Sequence, residues 1–510
     1  MQENNQDMNQ SFLSKLIEGF LSFFKGIYLF FRSVPKKLVR FGHFLKDKCK
    51  GFLERWKDSN LGTKLSHFIM GSGNIYHKQY IKGLLFLAIQ VGFLVVFFTN
   101  PVVGRSVTNH PVLGPIVVDP GTPIGYKSLG NLITLGTNEG SLFTSADNSM
   151  LMLLFGVLMV VMIILFIATW LANIKSSYKA QVDMAKGKKP TTIKEDIKAL
   201  FDSKFHVLLL TPTIIGVSLF TIIPTIFMIL IAFTDYGKGV VAGSDLFNWV
   251  GFDNFAAVFE SDSEIGQRFL PVLGWTLTWA FFATFSNYIA GILLALLINK
   301  YEIRLKKMWR TIFVLTIALP QFITLLAVRS LISELGPFNQ MLLNLGILEQ
   351  PMAFLGQADS ATTARISVLV INLWIGIPYT MLMTSGILMN VPKDTYEAAQ
   401  IDGATKFQAF RHITVPYIVF VTTPYLITSF IGNITSFNII YLLTAGDPGV
   451  PGNYAGKTDL LVTWLFELTI EQGDYNVGSV IAIFTFIITA TATLLTYRHS
   501  KAYKEEDTFQ

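Results

Sequence analysis

Eight stretches of this chain stay apolar for about the 20 residues that a helix needs to cross a bilayer. They cover 80–98, 150–174, 205–233, 271–299, 311–331, 365–389, 415–441 and 476–497. The runs are continuous and do not alternate. They therefore predict helices, which satisfy their own backbone hydrogen bonds in lipid, and not the strands of a barrel. The polar segments between them test this map. With the N-terminus placed inside, the inner segments are 1–79, 174–204, 300–310, 390–414 and 498–510. They hold 32 of the 40 Lys and Arg. The outer segments 99–149, 234–269, 332–363 and 442–475 hold 5, and Lys82, Arg329 and Arg365 lie at span edges. This is the positive-inside asymmetry. It predicts an all-α membrane protein of eight transmembrane helices with N- and C-termini cytoplasmic.

The spans are not alike. Pro212, Pro224, Gly291, Pro320 and Pro424 interrupt the third, fourth, fifth and seventh, and the seventh adds Asn433 and Asn438. Such residues kink helices and are tolerated beside partner helices or a watery cavity. The first two spans lack proline. The expected organisation is a basic amphipathic cytoplasmic region at 1–79, and then an accessory pair of spans with an external loop and basic linker at 80–204. A six-span core at 205–498 and a cytoplasmic tail at 499–510 follow.

Composition agrees. Hydrophobic residues make up 51% and charged residues 15%, where a soluble domain carries roughly 25% charged. The formal charge of +6 belongs to the inner segments and is no nucleic-acid signal. The lone Cys49 excludes an intramolecular disulfide. In 11–57, short apolar runs alternate with Lys and Arg, as at Phe23, Phe24 and Lys25. Two readings stand: helices lying on anionic membrane lipid, or an extension packed on the protein body.

The most informative polar segment is 390–416. Asp394 with Glu397 has capping-box spacing, and Thr405 with Gln408 repeats it. Gly403 suits a left-handed helix stop. The pattern is helix–Gly–helix with Tyr396, Ala399 and Gln400 on one face and Phe407, Phe410 and Ile413 on the other helix. A compact element with an apolar stripe suits docking of a soluble partner. Glu397, Ala398, Ala399, Gly403, Ile413, Val415 and Pro416 in this spacing resemble the EAA loop of ABC-importer permeases. Val415 departs from that family's usual Leu. The resemblance extends over most of 65–498 and is nearest to the larger, MalF-type permease of maltodextrin-class carbohydrate importers. Gly73 to Gly83, Phe437 to Thr444 and Ala455 to Leu461 carry it. Residues 1–64 are an extension that it does not cover.

The resemblance implies a type I ABC importer core in a bacterial cytoplasmic membrane, importing oligosaccharides, with maltose or maltodextrin as the expected substrate. It implies a second homologous permease, a cytoplasmic ATPase dimer and an extracellular sugar-binding lipoprotein as partners. It also implies coupling through Glu397, Ala398, Ala399, Gly403, Ile413 and Pro416. Sugar contacts are implied at Gln321, Trp374, Gly376, Tyr379, Asn433 and Ser436. Bland readings stand beside them: an interfacial aromatic at Trp374, close helix approach at Gly376, and helix–helix hydrogen bonds at Asn433 and Ser436. On a straight helix Trp374 lies about 160° from Gly376, so only a bend at Pro378 would aim both inward.

Other classes fit poorly. Gly456, Lys457 and Thr458 lack the earlier glycine of a P-loop, since position 451 is Pro. The chain is then no ATPase and no enzyme. It binds no cofactor, and a partner uses the ATP. No acid sits near the middle of a span, as an ion-coupled transporter would need. No metal-ligand spacing or nucleophile motif occurs.

Overall fold

The computed structural model describes residues 46, 50–52, 54–103, 106–110, 114–119, 121–138, 146–237, 246–299, 303–356, 361–449 and 455–499. Most of 11–57 and the tail from 500 lie outside them.

Seven helices are long and apolar enough to cross a membrane, and a bent pair makes an eighth if it counts as one span. In chain order these are α1 (Tyr80–Thr99), α2 (Ser149–Ala185), α3 (Phe205–Ile231), α4 (Glu264–Asn299), the bent pair α5 (Lys306–Ala318) and α6 (Gln321–Leu331), α7 (Ala361–Met389), α8 (Lys406–Ile434) and α9 (Tyr475–Leu494). Each expected run maps onto one of them, with three instructive differences.

The fifth run is broken: α5 and α6 meet at 95°. Pro320 is the cause. A residue before proline is pushed out of the helical region, and Leu319 is extended at ψ 135°. Next, α8 begins at Lys406, so the second short helix of the 390–416 segment runs straight into the span. The joint is a π-turn, Phe410–Thr414, directly ahead of Val415 and Pro416. The same device, Ser218–Ile222, precedes Ile223 and Pro224 in α3. A wider turn gives the proline ring room against the carbonyl it would otherwise strike. Finally, α8 stops at Ile434 and a separate helix, Asn438–Leu443, follows.

The chain forms two compact units, one Arg32–Asn254 and the other containing Phe255–Gln510. In the first, Leu135, Leu153, Ile231, Tyr236 and Phe247 form the core. Between α1 and α2 the all-helical expectation is modified by two small antiparallel pairs. One joins β1 (Val102–Val103) to β4 (Thr122–Pro123), and the other joins β2 (Ser106–His110) to β3 (Gly114–Asp119). In the second unit α4 packs along α7. Their approach is close because Gly291 faces Thr380 and Gly376 faces Asn287: a Cβ on either glycine would come within 2.4 Å of the opposing side chain. Trp275, Trp279, Leu325, Ile371, Ile440 and Leu443 fill the core beside this seam.

Candidate functional site

Two sets of residues carry the candidate site. The first is the helix–Gly–helix at 390–416. Its leading helix is Lys393–Ile401. Pro392, and not Asp394, takes the N-cap position. A proline is pre-set for that boundary, and Asp394 falls inside the first turn, where its charge still favours the helix dipole. At the other end Gly403 is left-handed at φ +79°. The amide of Ala404 donates to the Ala399 carbonyl at 2.9 Å, closing a Schellman-type stop. No atom lies within 4 Å of a Cβ built at Gly403, so glycine is required there by backbone conformation alone. Thr405 then caps the next helix reciprocally. Its amide donates to Gln408 Oε1 at 2.8 Å, and the Gln408 amide donates to Thr405 Oγ1 at 3.3 Å. Tyr396 and Thr414 share a hydroxyl–hydroxyl hydrogen bond of 2.8 Å that ties the two helices together.

This folded element presents an apolar surface. Ile401 is 86% exposed and Phe407 66% exposed. Glu397 and Ala398 are exposed, while Ala399 and Ile413 are half-buried. An open groove of about 330 Å³ runs between the helices past Ala399, Gly403, Gln408 and Ile413. Exposed isoleucine and phenylalanine on a hydrogen-bonded scaffold mark a surface that something else covers.

The second set lies along the apolar helices. Gln321 opens α6 immediately after the 95° break and is exposed. Trp374 and Tyr379 are about half exposed. Five helical residues apart, they point about 140° away from each other, and α7 carries Pro378 within one continuous helix. The two aromatic side chains therefore do not share a face. Tyr379 packs on Tyr425 with ring centres 5.6 Å apart. Gly376 makes the close approach to Asn287, and Asn433 Nδ2 donates to Thr284 Oγ1 at 2.8 Å. Ser436 lies in the connection after α8, where its amide donates to the Asn433 carbonyl at 3.3 Å. None of these six residues lines the groove between the short helices of 390–416.

Sequence reasoning missed a polar knot between α8 and α9. Trp275 Nε1 donates to the Thr458 carbonyl at 3.0 Å, and Arg365 Nε donates to the Lys457 carbonyl at 2.8 Å. The Arg365 guanidinium stands 4.4 Å over the Trp275 ring. Within the knot, buried Asp459 accepts from the Gly456 amide at 2.8 Å and from Thr463 at 2.7 Å. Burial pushes the Asp459 carboxyl up to about 6 and the Glu467 carboxyl up to about 7, in Glu467 with further push from Asp459 and Glu471. The clue in the sequence was the run Gly456 to Asp459 with Thr463, since these residues cap and turn where a loop needs hydrogen bonds.

An integral membrane subunit with a rigid, surface-exposed docking element is the class of protein these features define. Residues 287–503 match the family described as binding-protein-dependent transport system inner membrane component. The maltodextrin transport system permease MalC of Streptococcus pneumoniae serotype 4 is 32% identical over 451 residues, covering 87% of this chain and 96% of that one. Two permeases of Bacillus subtilis strain 168 are similarly related. MdxF, of a maltodextrin transport system, is 33% identical across 87% of this chain and 96% of its own. GanP, of a galactooligosaccharide transport system, is 30% identical across 87% and 98%. The chain belongs to this family, as a MalF-type permease subunit of carbohydrate ABC importers. It is accordingly a multi-pass protein of the cytoplasmic membrane and a transport subunit, with ATP hydrolysis belonging to a separate chain.

Proposed function

We propose that this chain forms half of the translocation pathway of an ATP-driven oligosaccharide importer, with maltodextrin as the substrate class. The exposed apolar docking element at 390–416 is the observation that carries the reading. A permease without its own nucleotide site needs a rigid contact through which another subunit's ATP-driven closure moves the membrane helices. The helix–Gly–helix is built for that, because its second helix is continuous with α8. Glu397, Ala398, Ala399, Gly403, Ile413 and Pro416 form the coupling contact with a cytoplasmic ATPase dimer. That assignment puts 390–416 and both termini inside, makes the bent α5–α6 pair the fifth of eight spans, and places the knot between α8 and α9 outside. Residues 80–204 are then the accessory pair and 205–498 the transport core.

On this reading the exposure of Gln321, and of whichever of Trp374 and Tyr379 faces the pathway, has a simple cause. One permease supplies only half a cavity, and a second, homologous permease closes it. Gly376, Asn433 and Ser436 complete the sugar contacts on this side. An extracellular sugar-binding lipoprotein delivers the substrate, membrane lipid holds 11–57, and ATP acts only at the partner ATPase. Relatives that serve maltodextrin outnumber the one named for galactooligosaccharides among those above, which favours α-glucan chains.

The test is uptake of radiolabelled maltotriose by proteoliposomes holding the permease pair, the ATPase and the binding protein. The expected result is ATP-dependent uptake that is lost with Glu397→Lys or Gly403→Val and insensitive to a protonophore. Uptake without ATP, or full uptake and ATPase co-purification by both variants, overturns the reading.

A further inference from the structure

The Gly73 to Gly83 segment is a family-like motif that the docking element and the polar helix positions leave unexplained. It belongs to a hairpin of two short helices, Leu61–Leu65 and Ser72–Tyr76, that leads into α1. Its turn, His67–Gly71, exposes backbone groups that helix hydrogen bonds do not use, and α1 and α2 supply side-chain partners for them. Gln90 acts with both ends of its amide: the Met70 amide donates to its Oε1 at 2.7 Å, and its Nε2 donates to the Phe68 carbonyl at 2.9 Å. Asn173 does the same from α2, taking the Gly71 amide at 2.8 Å and giving to the Ser66 carbonyl at 2.9 Å. Trp170 Nε1 donates to the His67 carbonyl at 2.8 Å.

The positions of these partners give the depth of the turn. Gln90 lies eight residues past Lys82, the last charge on α1, which is about 12 Å along the axis. Trp170 lies five residues before Lys175, the first charge after the apolar run of α2, which is about 7.5 Å. Both displacements lead into the apolar part of the helices. Non-helical backbone survives at such depth only where protein groups replace water, and two bidentate amides and an indole do so here. The glycines allow the fit. A Cβ on Gly71 would sit 1.9 Å from the Gly83 carbonyl oxygen, and one on Gly73 would sit 2.0 Å from Ser177 Oγ. The outward side of the hairpin is apolar, with Leu61 69%, Phe68 70% and Ile69 51% exposed. The exposed Lys57 and Lys78 stand at its base.

We propose that residues 60–79 are a re-entrant hairpin seated in the inner leaflet, with Phe68 and Ile69 among acyl chains and Lys57 and Lys78 at anionic headgroups. The occupant of its exposed face is lipid, because that face continues the lipid-facing surface of α1 and because its basic base complements an anionic leaflet. Gln90 and Asn173 are the positioning residues that hold the turn at depth.

Nitroxide scanning of the assembled transporter in nanodiscs containing phosphatidylglycerol tests this. Phe68→Cys is labelled in a Cys49→Ser background, since Cys49 is the chain's only cysteine. Val95→Cys, on the exposed side of α1, and Lys189→Cys, in the exposed linker, give the lipid and water references. The Phe68 label is expected to match Val95, with oxygen access high and access of a water-soluble nickel chelate several-fold below that at Lys189. Nickel access equal to Lys189 overturns the proposal. So does shielding from both reagents, which would put a protein subunit on the face. In the double variant Gln90→Leu with Asn173→Leu, nickel access at Phe68 should rise several-fold while Val95 stays unchanged. An unchanged Phe68 label there removes the clamp from the account.

Discussion

The hairpin at 60–79 and the docking element at 390–416 are built to one plan, two short helices around a glycine, and they solve opposite problems. The docking element is held from within. Its hydrogen bonds run between its own residues, as from Ala404 to Ala399 and between Thr405 and Gln408. Its glycine is surrounded by open space, and its apolar side chains point outward. The hairpin is held from outside itself, by Gln90, Trp170 and Asn173, and its glycines are pressed against neighbouring backbone and hydroxyl groups. The difference teaches what each surface is for. On the proposed coupling, an element that moves with a partner carries its own structure with it. An element that must stay where water cannot reach its backbone is fastened to its surroundings.

The same substitution should therefore act differently in the two places, and this gives the largest expected effect. Gly71→Ala adds a methyl group where a carbonyl oxygen already lies, at φ +85°. Overpacking and left-handed strain together cost on the order of 3–5 kcal/mol. Thermal unfolding of the detergent-solubilised chain should show a large loss of stability or no folded protein. Gly403→Ala meets no atom and pays only left-handed strain, about 1–2 kcal/mol. It should leave the thermal transition nearly unmoved while lowering ATP-driven uptake, and Gly403→Asn, which tolerates that conformation, should recover most of the uptake. If the two alanine variants lose equal stability, the contrast fails.

Thr405→Ala sharpens the comparison at a smaller scale. Loss of an N-cap costs about 1 kcal/mol, felt within the docking element. Hydrogen exchange should rise at 405–409 and stay unchanged at 60–79. The smallest effect concerns the knot. A carboxyl whose folded pKa is raised is stabilised in its neutral form, so the contribution is fully present below the ordinary carboxyl pKa. It is lost as pH rises through about 6 for Asp459 and about 7 for Glu467. Exchange protection at 455–471 should fall between pH 5 and 8, and Glu467→Gln should flatten the upper part of that change. Neither short-helix element should follow it.

Much of this was legible beforehand because it is local. Run length and apolarity located the apolar helices, and Pro320 announced the break that turns the fifth by 95°. Gly403 and Thr405 behave as their immediate neighbours require. The failures were of two kinds. Asp394 was outcompeted as a cap by Pro392 two residues earlier, and the continuity of α8 through Pro416 depended on a π-turn that periodicity does not reveal. The aromatic pair on α7 is the clearest case at the candidate sugar site: helical spacing already separated Trp374 from Gly376, and Pro378 sits in a helix that remains continuous.

By itself, the sequence determined the membrane class, the helix positions, and the Gly403 stop and Thr405 cap within 390–416. All of these follow from residue type and from spacing over a few turns. Only the tertiary structure decided that Gln90 and Asn173 clamp a turn lying 20 and 102 residues away from them. It also decided that Asn433 bonds Thr284 and that Trp275 anchors a loop 183 residues on. A buried amide must find a partner, and chain order does not say which distant group folding will bring to it.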